Sequence, residues 1–123
     1  MPFRYVLDEN LRGPLWNAIQ RHNLDLINPI DVVRLGDRPD LKLGTLDRDL
    51  LEWMERENRV LISNDQKTLP EHLAAHLQLG GHVPGILLVR DDAGIPEIIF
   101  ALVLIAYAGD EEEIRDTITH IPL

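Results

Sequence analysis

The chain has 123 residues, of which 21 are acidic and 12 are basic, so its formal net charge is −9. Hydrophobic residues make up 45% and charged residues 27%, the composition of a globular domain rather than of a disordered chain. The absence of cysteine excludes disulfides, thiolate metal sites and thiol nucleophiles. The acidic balance argues against a long nucleic-acid groove lined with Lys and Arg, and it is compatible with a basic protein partner.

The sequence contains no segment typical of a membrane protein or a secreted protein. The N-terminus lacks the long apolar core of a signal peptide. The longest apolar stretch, Ile95–Ala108, is shorter than the roughly 20 residues that span a bilayer. We therefore expect a cytoplasmic protein with no membrane segment. The length predicts one domain over residues 1–123.

Short apolar segments alternate with amphipathic ones along the chain. Strands are predicted near 3–7, 30–33, 60–62 and 85–89 and within 114–123, and helices near 11–22, 48–57, 68–78 and 95–108. Asp47 is predicted to be the N-cap of the second helix, and Thr68 to Glu71 have capping-box spacing at the third. The alternation predicts a single three-layer Rossmann-like α/β domain with a mostly parallel central sheet of four or five strands.

Three aspartates have positions that predict a common site. Asp8 and Asp65 each follow a predicted strand, and Asp47 opens a predicted helix. In parallel α/β sheets the working site lies beyond the carboxyl ends of the strands, so we expect the three to converge there. Converging carboxylates repel one another, and a hard divalent cation such as Mg²⁺ or Mn²⁺ relieves that repulsion. Metal-assisted phosphodiester hydrolysis is the reaction class that such a cluster suits.

Each of these aspartates also has a purely structural interpretation. Asp8 with Glu9 could be a solvated strand end, Asp47 only a helix cap, and Asp65 a turn residue. Each of these interpretations, taken alone, is as good as the functional one. The agreement of three positions nevertheless favours a site.

Polar residues beside the aspartates are candidates for substrate contacts: Asn10, Asn64, Lys67 and Thr68. Arg12 and Arg38, with Lys67, are the basic residues expected near the site. His72 and His76 have a spacing that can bind metal on a helix, but with no third ligand in view we interpret them as helix surface.

Several segments are informative as an ordered set. They are Leu7-Asp8-Glu9-Asn10, Gly44-Thr45-Leu46-Asp47 leading into Leu50-Leu51-Glu52-Trp53, Arg59-Val60-Leu61-Ile62-Ser63-Asn64-Asp65 with Lys67-Thr68, Pro84-Gly85-Ile86 and Ile121-Pro122-Leu123. Together they resemble the PIN-like domain family, and more narrowly the short bacterial PIN-like proteins grouped with toxin–antitoxin ribonucleases. The resemblance runs through nearly the whole chain and depends on the order and spacing of the segments.

The resemblance implies a Rossmann-like sheet and a metal-dependent ribonuclease that uses Mg²⁺ or Mn²⁺ on RNA. It assigns Asp8, Asp47 and Asp65 as the metal-binding catalytic residues, with Ser63 in place of the Thr in the family's Thr-x-Asp motif. Membership of a toxin–antitoxin pair would bring a basic antitoxin protein as a partner.

The chain departs from the family pattern at one position. Typical PIN domains carry a further acid, often Glu, on a helix between the first strand and the position of Asp47. The acids in that interval have no convincing context here, and Glu9 is the candidate substitute; they are Asp25, Asp31, Asp37 and Asp40. The gap argues against a two-metal mechanism.

Two other functions fit parts of the pattern. A non-catalytic interaction module would explain the missing acid. A phosphoacceptor receiver domain would explain the acidic pair after the first strand and the aspartate after a central strand. Receivers also need Ser or Thr after the fourth strand and Lys after the fifth. In this chain the fourth predicted strand is followed by Arg90-Asp91-Asp92, and no Lys comes after Lys67. The apolar helix around residues 98–104 is interpreted as core, with a homodimer face as the alternative.

Overall fold

The structure is a computed structural model that describes residues 2–11 and 13–123. Within those residues the strands are β1 Arg4–Leu7, β2 Asp31–Arg34, β3 Val60–Ser63, β4 Ile86–Val89 and β5 Ile118–Ile121. The helices are α1 Pro14–Asn23, α2 Asp47–Glu57, α3 Leu69–Gln78, α4 Ile95–Ala108 and α5 Glu111–Ile114, and a 3-10 turn at Glu9–Leu11 follows β1. The short α5 was not expected from the sequence.

The five strands form one sheet in the order β2-β1-β3-β4-β5, and every neighbouring pair is parallel. The predicted α/β class with a parallel sheet is therefore confirmed. The chain adds strands in opposite directions from β1, so β1 and β3 are adjacent although a helix, a strand and another helix separate them in sequence. Such a reversal of strand order is where α/β sheets hold their ligands, outside the carboxyl ends of the strands.

Both faces of the sheet are covered, which is why its central strands are continuously apolar. On one face Tyr5 and Leu7 of β1 pack with residues of α1 and α4. On the other face Val6 packs with residues of α2 and α3. This alternation follows from the two-residue period of a strand and produces the three layers that the sequence predicts.

The beginnings of α2 and α3 differ in detail from the sequence prediction. The N-cap of α2 is Leu46, so Asp47 is the first helical residue and lies in the first turn. Thr68 is the N-cap of α3, but its side chain makes no capping hydrogen bond, so the predicted capping box is wrong. The reason is local competition, because the Thr68 amide donates to Asp65 Oδ1 at 3.1 Å. The Thr68 hydroxyl is turned toward carboxylates instead.

Within residues 2–11 and 13–123, no helix combines the length and the apolarity that crossing a lipid bilayer requires. The most apolar helix, α4, has 14 residues. It buries one side against the sheet and α1.

Candidate carboxylate site

The three predicted aspartates lie along one edge of the sheet, called here the carboxyl edge because the strands end there. Asp8 directly follows β1, and its amide donates to the carbonyl of Ile62 in β3 at 3.0 Å. Asp65 lies two residues beyond the end of β3. Asp47 begins α2, which runs back to the start of β3 and therefore begins at the carboxyl edge. The parallel arrangement thus brings together residues up to 57 positions apart.

Ser63, the last residue of β3, connects Asp8 with Asp65. Its hydroxyl donates to Asp8 Oδ2 at 2.7 Å. The Ser63 Oγ atom also accepts a hydrogen bond from the Asp65 amide at 3.1 Å. Ser63 has no exposed surface, and both bonds are partly buried. A buried hydroxyl with both of its roles satisfied holds its two partners firmly in place.

Thr68 lies between Asp65 and Asp47, although its hydroxyl has one proton and can donate to only one of the two carboxylates at a time. Its hydroxyl makes a short hydrogen bond to Asp65 Oδ2 and lies 3.4 Å from Asp47 Oδ2. Asp47 Oδ2 is also 3.4 Å from the ring nitrogen Nε2 of His72. Asp8, Ser63, Asp65, Thr68 and Asp47 therefore form a polar chain along the carboxyl edge, in which Ser63 is joined to Asp65 through the Asp65 backbone amide.

Asp65 has a structural role as well. Its Oδ1 accepts hydrogen bonds from the amides of Lys67 and Thr68, each at 3.1 Å. This is the pattern of an Asp that closes a turn on its own backbone, as the structural interpretation of Asp65 requires. Its Oδ2 makes the bond to the Thr68 hydroxyl, so the two carboxylate oxygens serve different partners.

The environment moves the pKa of Asp8 and the pKa of Asp65 in opposite directions. Burial raises the pKa of the Asp8 carboxyl, and the charges of Asp47 and Glu9 raise it further, against the hydrogen bonds from Ser63 and the Glu9 amide. The Thr68 hydroxyl lowers the pKa of Asp65, helped by two amides and by His72 and opposed by burial. Negative charge is therefore more costly on Asp8 than on Asp65.

Glu9 lies beside Asp8 but is held by another segment. Its Oε1 accepts a hydrogen bond from the amide of Gly44 at 3.3 Å, which links the end of β1 to the loop before α2. Its charge contributes to the raised pKa of Asp8. The charge of Glu9 therefore acts on Asp8, and the Glu9 carboxylate is hydrogen bonded to the loop before α2.

The other acids before Asp47 have separate partners. Asp31 opens β2 at the opposite edge of the sheet and lies 2.9 Å from Nη1 of the buried Arg59. Asp40 accepts a hydrogen bond from the Trp53 indole at 3.1 Å. Asp37 pairs with Arg34, and Asp25 follows the end of α1. These placements leave Glu9 as the acid of this interval that lies next to the aspartates.

The remaining candidates differ in how closely they join the polar chain. Asn10, Asn64 and Lys67 are exposed, and Lys67 reaches Asp65 through its backbone amide. Thr68, proposed only as a substrate contact, is the link between two of the aspartates. Sequence reasoning did not include Ser63 among the site residues, although its place at the end of a buried strand was a usable signal.

The two histidines of α3 contact different carboxylates. His72 lies beside Asp47, whereas the ring of His76 is 3.0 Å from Glu55 Oε1 and 3.2 Å from the carbonyl of His82. The interpretation of both histidines as helix surface holds for His72 but is wrong for His76, whose side chain is only 10% exposed. His72 is the one that sequence reasoning failed to place near the aspartates.

Of the expected basic residues that the structure describes, Lys67 lies beside Asp65 and Arg38 lies elsewhere. The expectation for Arg38 is wrong, because its guanidinium lies 3.5 Å from Glu57 Oε1 at the far end of α2 and stacks toward Trp53. An ion pair and a nearby indole ring hold that side chain away from Asp47. Arg12 lies outside the described residues.

The donor atoms of the cluster are carboxylate oxygens, which suit a hard divalent cation. As the side chains stand, no three His, Asp or Glu groups among the described residues are arranged around a common point that could hold a metal ion. The hydroxyls of Ser63 and Thr68 occupy the positions between the aspartates. The type of donor atom therefore suits Mg²⁺ or Mn²⁺, and Asp8, Asp47 and Asp65 are the residues that would hold the ion.

A groove between α2 and α3 opens beside the cluster. It has a volume of about 550 Å³ and is lined at one end by Asp47 and His72 and farther along by Leu51, Ala75 and Leu79. A cleft of about 630 Å³ lies at the opposite edge of the sheet, near Arg4 at the start of β1. Volume alone does not identify a site, and we assign weight to the smaller groove because it adjoins the aspartates.

Comparison of the chain with protein-family models, with curated proteins and with solved structures finds no match.

Proposed function

We propose that this protein is a metal-dependent ribonuclease of PIN-like type that acts as the toxin component of a toxin–antitoxin pair. The observation that carries the proposal is the placement of Asp8, Asp65 and Asp47 around two hydroxyls at the carboxyl edge. Ser63 bonds to the Asp8 carboxylate and the Asp65 amide, and the Thr68 hydroxyl bonds to the Asp65 carboxylate and lies 3.4 Å from Asp47 Oδ2. Isolated strand ends and helix starts do not need to share hydroxyl partners. The order of motifs that resembles PIN-like domains supports the same function.

The proposal gives each group a role in binding a cation and a scissile phosphate. Asp8, Asp47 and Asp65 would hold Mg²⁺ or Mn²⁺, and Glu9 would add negative charge beside them. When bound, such an ion supplies Lewis acidity to a phosphodiester and lowers the pKa of water. Ser63 and Thr68 orient the carboxylates. The exposed side chains of Asn10, Asn64 and Lys67 are the proposed contacts to RNA.

The acidic chain should bind its substrate weakly. A net charge of −9 with only two lysines offers few contacts to a phosphate backbone. We include in the proposal a basic antitoxin protein, whose charge would complement this surface, and a cytoplasmic location. A second copy of the chain is a further proposed partner.

The test is cleavage of a panel of fluorescent single-stranded RNAs by the purified protein with Mn²⁺ or Mg²⁺. Asp65→Asn and Asp8→Asn should abolish cleavage. Asp25→Asn is the matched control, because it makes the same chemical change at an exposed residue beyond the end of α1. It should cleave as the wild type does.

Equal cleavage by the wild type and Asp65→Asn would reveal a contaminating nuclease and overturn the proposal. Absence of cleavage by either protein across the panel, with and without metal, would also overturn it. That second result would favour the alternative of a non-catalytic PIN-like interaction module.

A receiver domain remains the second candidate because of one observation. The strand order β2-β1-β3-β4-β5 and the acids after the adjacent strands β1 and β3 are those a receiver requires. The positions for its other conserved groups are filled differently, because β4 leads into Arg90 and β5 into Pro122. Incubation with acetyl phosphate and Mg²⁺ should leave the protein mass unchanged, and a phosphate adduct on Asp65 would support the receiver instead.

A further inference from the structure

His72 lies where the groove between α2 and α3 meets the aspartates. Its amide donates to the carbonyl of Thr68 at 3.1 Å, in the first turn of α3 at the carboxyl edge. The ring nitrogen Nε2 is 3.4 Å from Asp47 Oδ2. The ring also acts on Asp65, because its charge contributes to the lowered pKa of that carboxyl. One imidazole therefore lies near two of the three proposed carboxylate ligands.

The spacing of His72 and Asp47 is longer than that of a good hydrogen bond. Hydrogen bonds from nitrogen to oxygen have donor–acceptor distances of about 2.7–3.2 Å. Two ligand atoms that are each about 2.1 Å from one ion are about 3.0 Å apart at a right angle and about 3.4 Å apart at a tetrahedral angle. The 3.4 Å between His72 Nε2 and Asp47 Oδ2 is within that range. The pair therefore has the separation of two atoms that bind the same ion.

Asp47 Oδ2 has no close donor among the residues that the structure describes. It lies 3.4 Å from the Thr68 hydroxyl and 3.4 Å from the His72 ring. The hydroxyl has one proton, and its short bond is to Asp65 Oδ2. A carboxylate oxygen that faces two polar atoms at the same distance, with a close bond to neither, is favourably placed to bind a cation.

The other histidines are placed elsewhere. The rings of His22, His76 and His82 contact carbonyls or carboxylates away from the three aspartates. His120 is exposed on the edge strand β5. Among the described residues, His72 is therefore the source of a nitrogen ligand at the carboxyl edge.

The position of His72 also provides access for an ion. Its side chain is 44% exposed, and that of Asp47 is 31% exposed. Both line the end of the groove of about 550 Å³. A hydrated ion can approach them from solvent, as an exchangeable metal site requires. The His72 ring can change its rotamer without repacking the core.

A nitrogen ligand changes which cation the site prefers. Mg²⁺ takes oxygen ligands and loses its water reluctantly. Transition-metal ions accept imidazole, and their affinity for sites of mixed nitrogen and oxygen ligands rises from Mn²⁺ to Co²⁺. Carboxylates alone give Mg²⁺ the ligands it prefers. One imidazole among them therefore favours a transition-metal ion over Mg²⁺.

We propose that His72 is a nitrogen ligand of the cation held by Asp8, Asp47 and Asp65, and that the site therefore prefers Mn²⁺ and Co²⁺ to Mg²⁺. This inference rests on the proposed function only in that a cation binds at the carboxyl edge. It gives His72 a role in binding metal, and it assigns the cation to the transition metals.

The first test detects the nitrogen directly. Pulsed electron paramagnetic resonance of the purified protein with substoichiometric Mn²⁺ reports imidazole nitrogen bound to the ion. The wild type should show this nitrogen coupling, and His72→Gln should lose it. His120→Gln is the matched control, because it makes the same change at an exposed histidine of β5, and it should keep the coupling.

The second test measures affinity by calorimetric titration with MnCl₂, CoCl₂ and MgCl₂. The wild type should bind Co²⁺ and Mn²⁺ more tightly than Mg²⁺, by about tenfold or more for Mn²⁺. His72→Gln should lose most of that ratio through weaker Mn²⁺ binding. His72→Asp should also reduce the ratio, by strengthening Mg²⁺ binding, since it replaces the nitrogen with an oxygen ligand. An acidic residue is tolerated in the first turn of a helix, so this variant should fold.

Three results would overturn the proposal: a Mn²⁺-bound wild type without nitrogen coupling, coupling that survives in His72→Gln, or an unchanged ratio of Mn²⁺ to Mg²⁺ affinity in that variant. A wild type that binds no divalent cation would overturn it as well. RNA cleavage by a wild type without nitrogen coupling would refute the role of His72 and leave the proposed function standing. Nitrogen coupling without RNA cleavage would support His72 as a ligand and refute the proposed function.

Discussion

The hydroxyl of Ser63 donates a hydrogen bond to Asp8 across the two central strands, with 2.7 Å between Ser63 Oγ and Asp8 Oδ2. This bond joins residues 55 positions apart and lies where the strand order reverses. Because Ser63 is fully buried and also accepts the Asp65 amide, it holds two of the proposed ligands together. The positions of Asp8 and Asp65 at the carboxyl edge therefore depend on Ser63, which the sequence analysis included only as part of a motif.

Ser63→Ala should lower the free energy of unfolding by about 1–3 kcal/mol, because it removes a bond to a carboxylate and leaves a partly buried amide without its acceptor. Urea unfolding at pH 7 measures the loss. A double-mutant cycle with Asp8→Asn isolates the contribution of this pair. The cost of Ser63→Ala should be smaller in the Asp8→Asn background. Strict additivity of the two substitutions would mean that the hydrogen bond contributes nothing to stability.

Asp8→Asn should stabilise the metal-free protein at pH 7, by on the order of 0.5 kcal/mol after allowance for solvent screening. Burial raises the pKa of Asp8 above its ordinary value of 3.8 in the folded state. Above the folded pKa both states are ionised and the full penalty of the buried charge is present. As the pH falls through the folded pKa toward 3.8, the folded state binds a proton first and the wild type gains stability.

The advantage of Asp8→Asn should therefore be greatest at neutral pH and shrink as the pH falls toward 3.8. Thermal midpoints of both proteins from pH 7 to pH 3, without divalent metal, measure it. Asp25→Asn serves as the control for loss of a negative charge as such. An advantage that grows on acidification would contradict the assigned direction of the pKa.

Mn²⁺ should raise the thermal midpoint of the wild type, since an ion that binds only the folded state stabilises it. At a tenfold excess over the dissociation constant the gain is about 1.4 kcal/mol, or roughly 5 °C for a domain of this size. Asp65→Asn and Asp47→Asn should each remove most of that rise, and Asp25→Asn should retain it. Differential scanning calorimetry with Mn²⁺, Mg²⁺ and EDTA gives the comparison. Equal rises in all four proteins would remove these aspartates as ligands.

Thr68→Val should cost less than the roughly 1 kcal/mol typical of a lost N-cap, because the Thr68 hydroxyl makes no capping bond. The substitution should instead raise the pKa of Asp65, which is lowered chiefly by the Thr68 hydroxyl. Carboxyl carbon chemical shifts followed through a pH titration should show the pKa of Asp65 rising toward 3.8. A large loss of stability with an unchanged Asp65 titration would instead identify Thr68 as an ordinary cap.

Glu55→Gln should make the protein less stable at neutral pH and no less stable in acid. The His82 amide donates to Glu55 Oε1 at 2.9 Å and lowers the pKa of that carboxyl below its ordinary value of 4.5, with His76 adding to the effect. A lowered folded pKa contributes stability above 4.5 that is lost as the pH falls through the folded pKa. Thermal midpoints across that range should converge for the two proteins, while Glu52→Gln, exposed on the same helix, should follow the wild type throughout. A gap that persists at the acid end would mean that Glu55 acts through something other than its charge.

The sequence by itself determined the elements of the fold and their class. Hydrophobic periodicity is local, so α4 was predicted with the bounds that the structure shows, Ile95–Ala108, and the buried strands were placed to within about two residues. Alternation of strands and helices was sufficient for a parallel sheet with two covered faces, because parallel strands need crossover connections. The position of Asp8 and Asp65 at strand ends followed from the same local pattern.

Only the tertiary structure decided which side chains meet. Ser63 and Thr68 became links between aspartates because β1 lies beside β3 and α2 begins at the same edge, facts that no local window contains. Arg38 pairs with Glu57 instead of approaching Asp47, because the loop between β2 and α2 places Arg38 beside the end of α2. The Tyr107 hydroxyl likewise joins α4 to Pro29, which is 78 positions away in the sequence. Periodicity reports which face of an element is buried, whereas contacts between distant segments depend on strand order and side-chain rotamers, which are settled only when the whole chain packs.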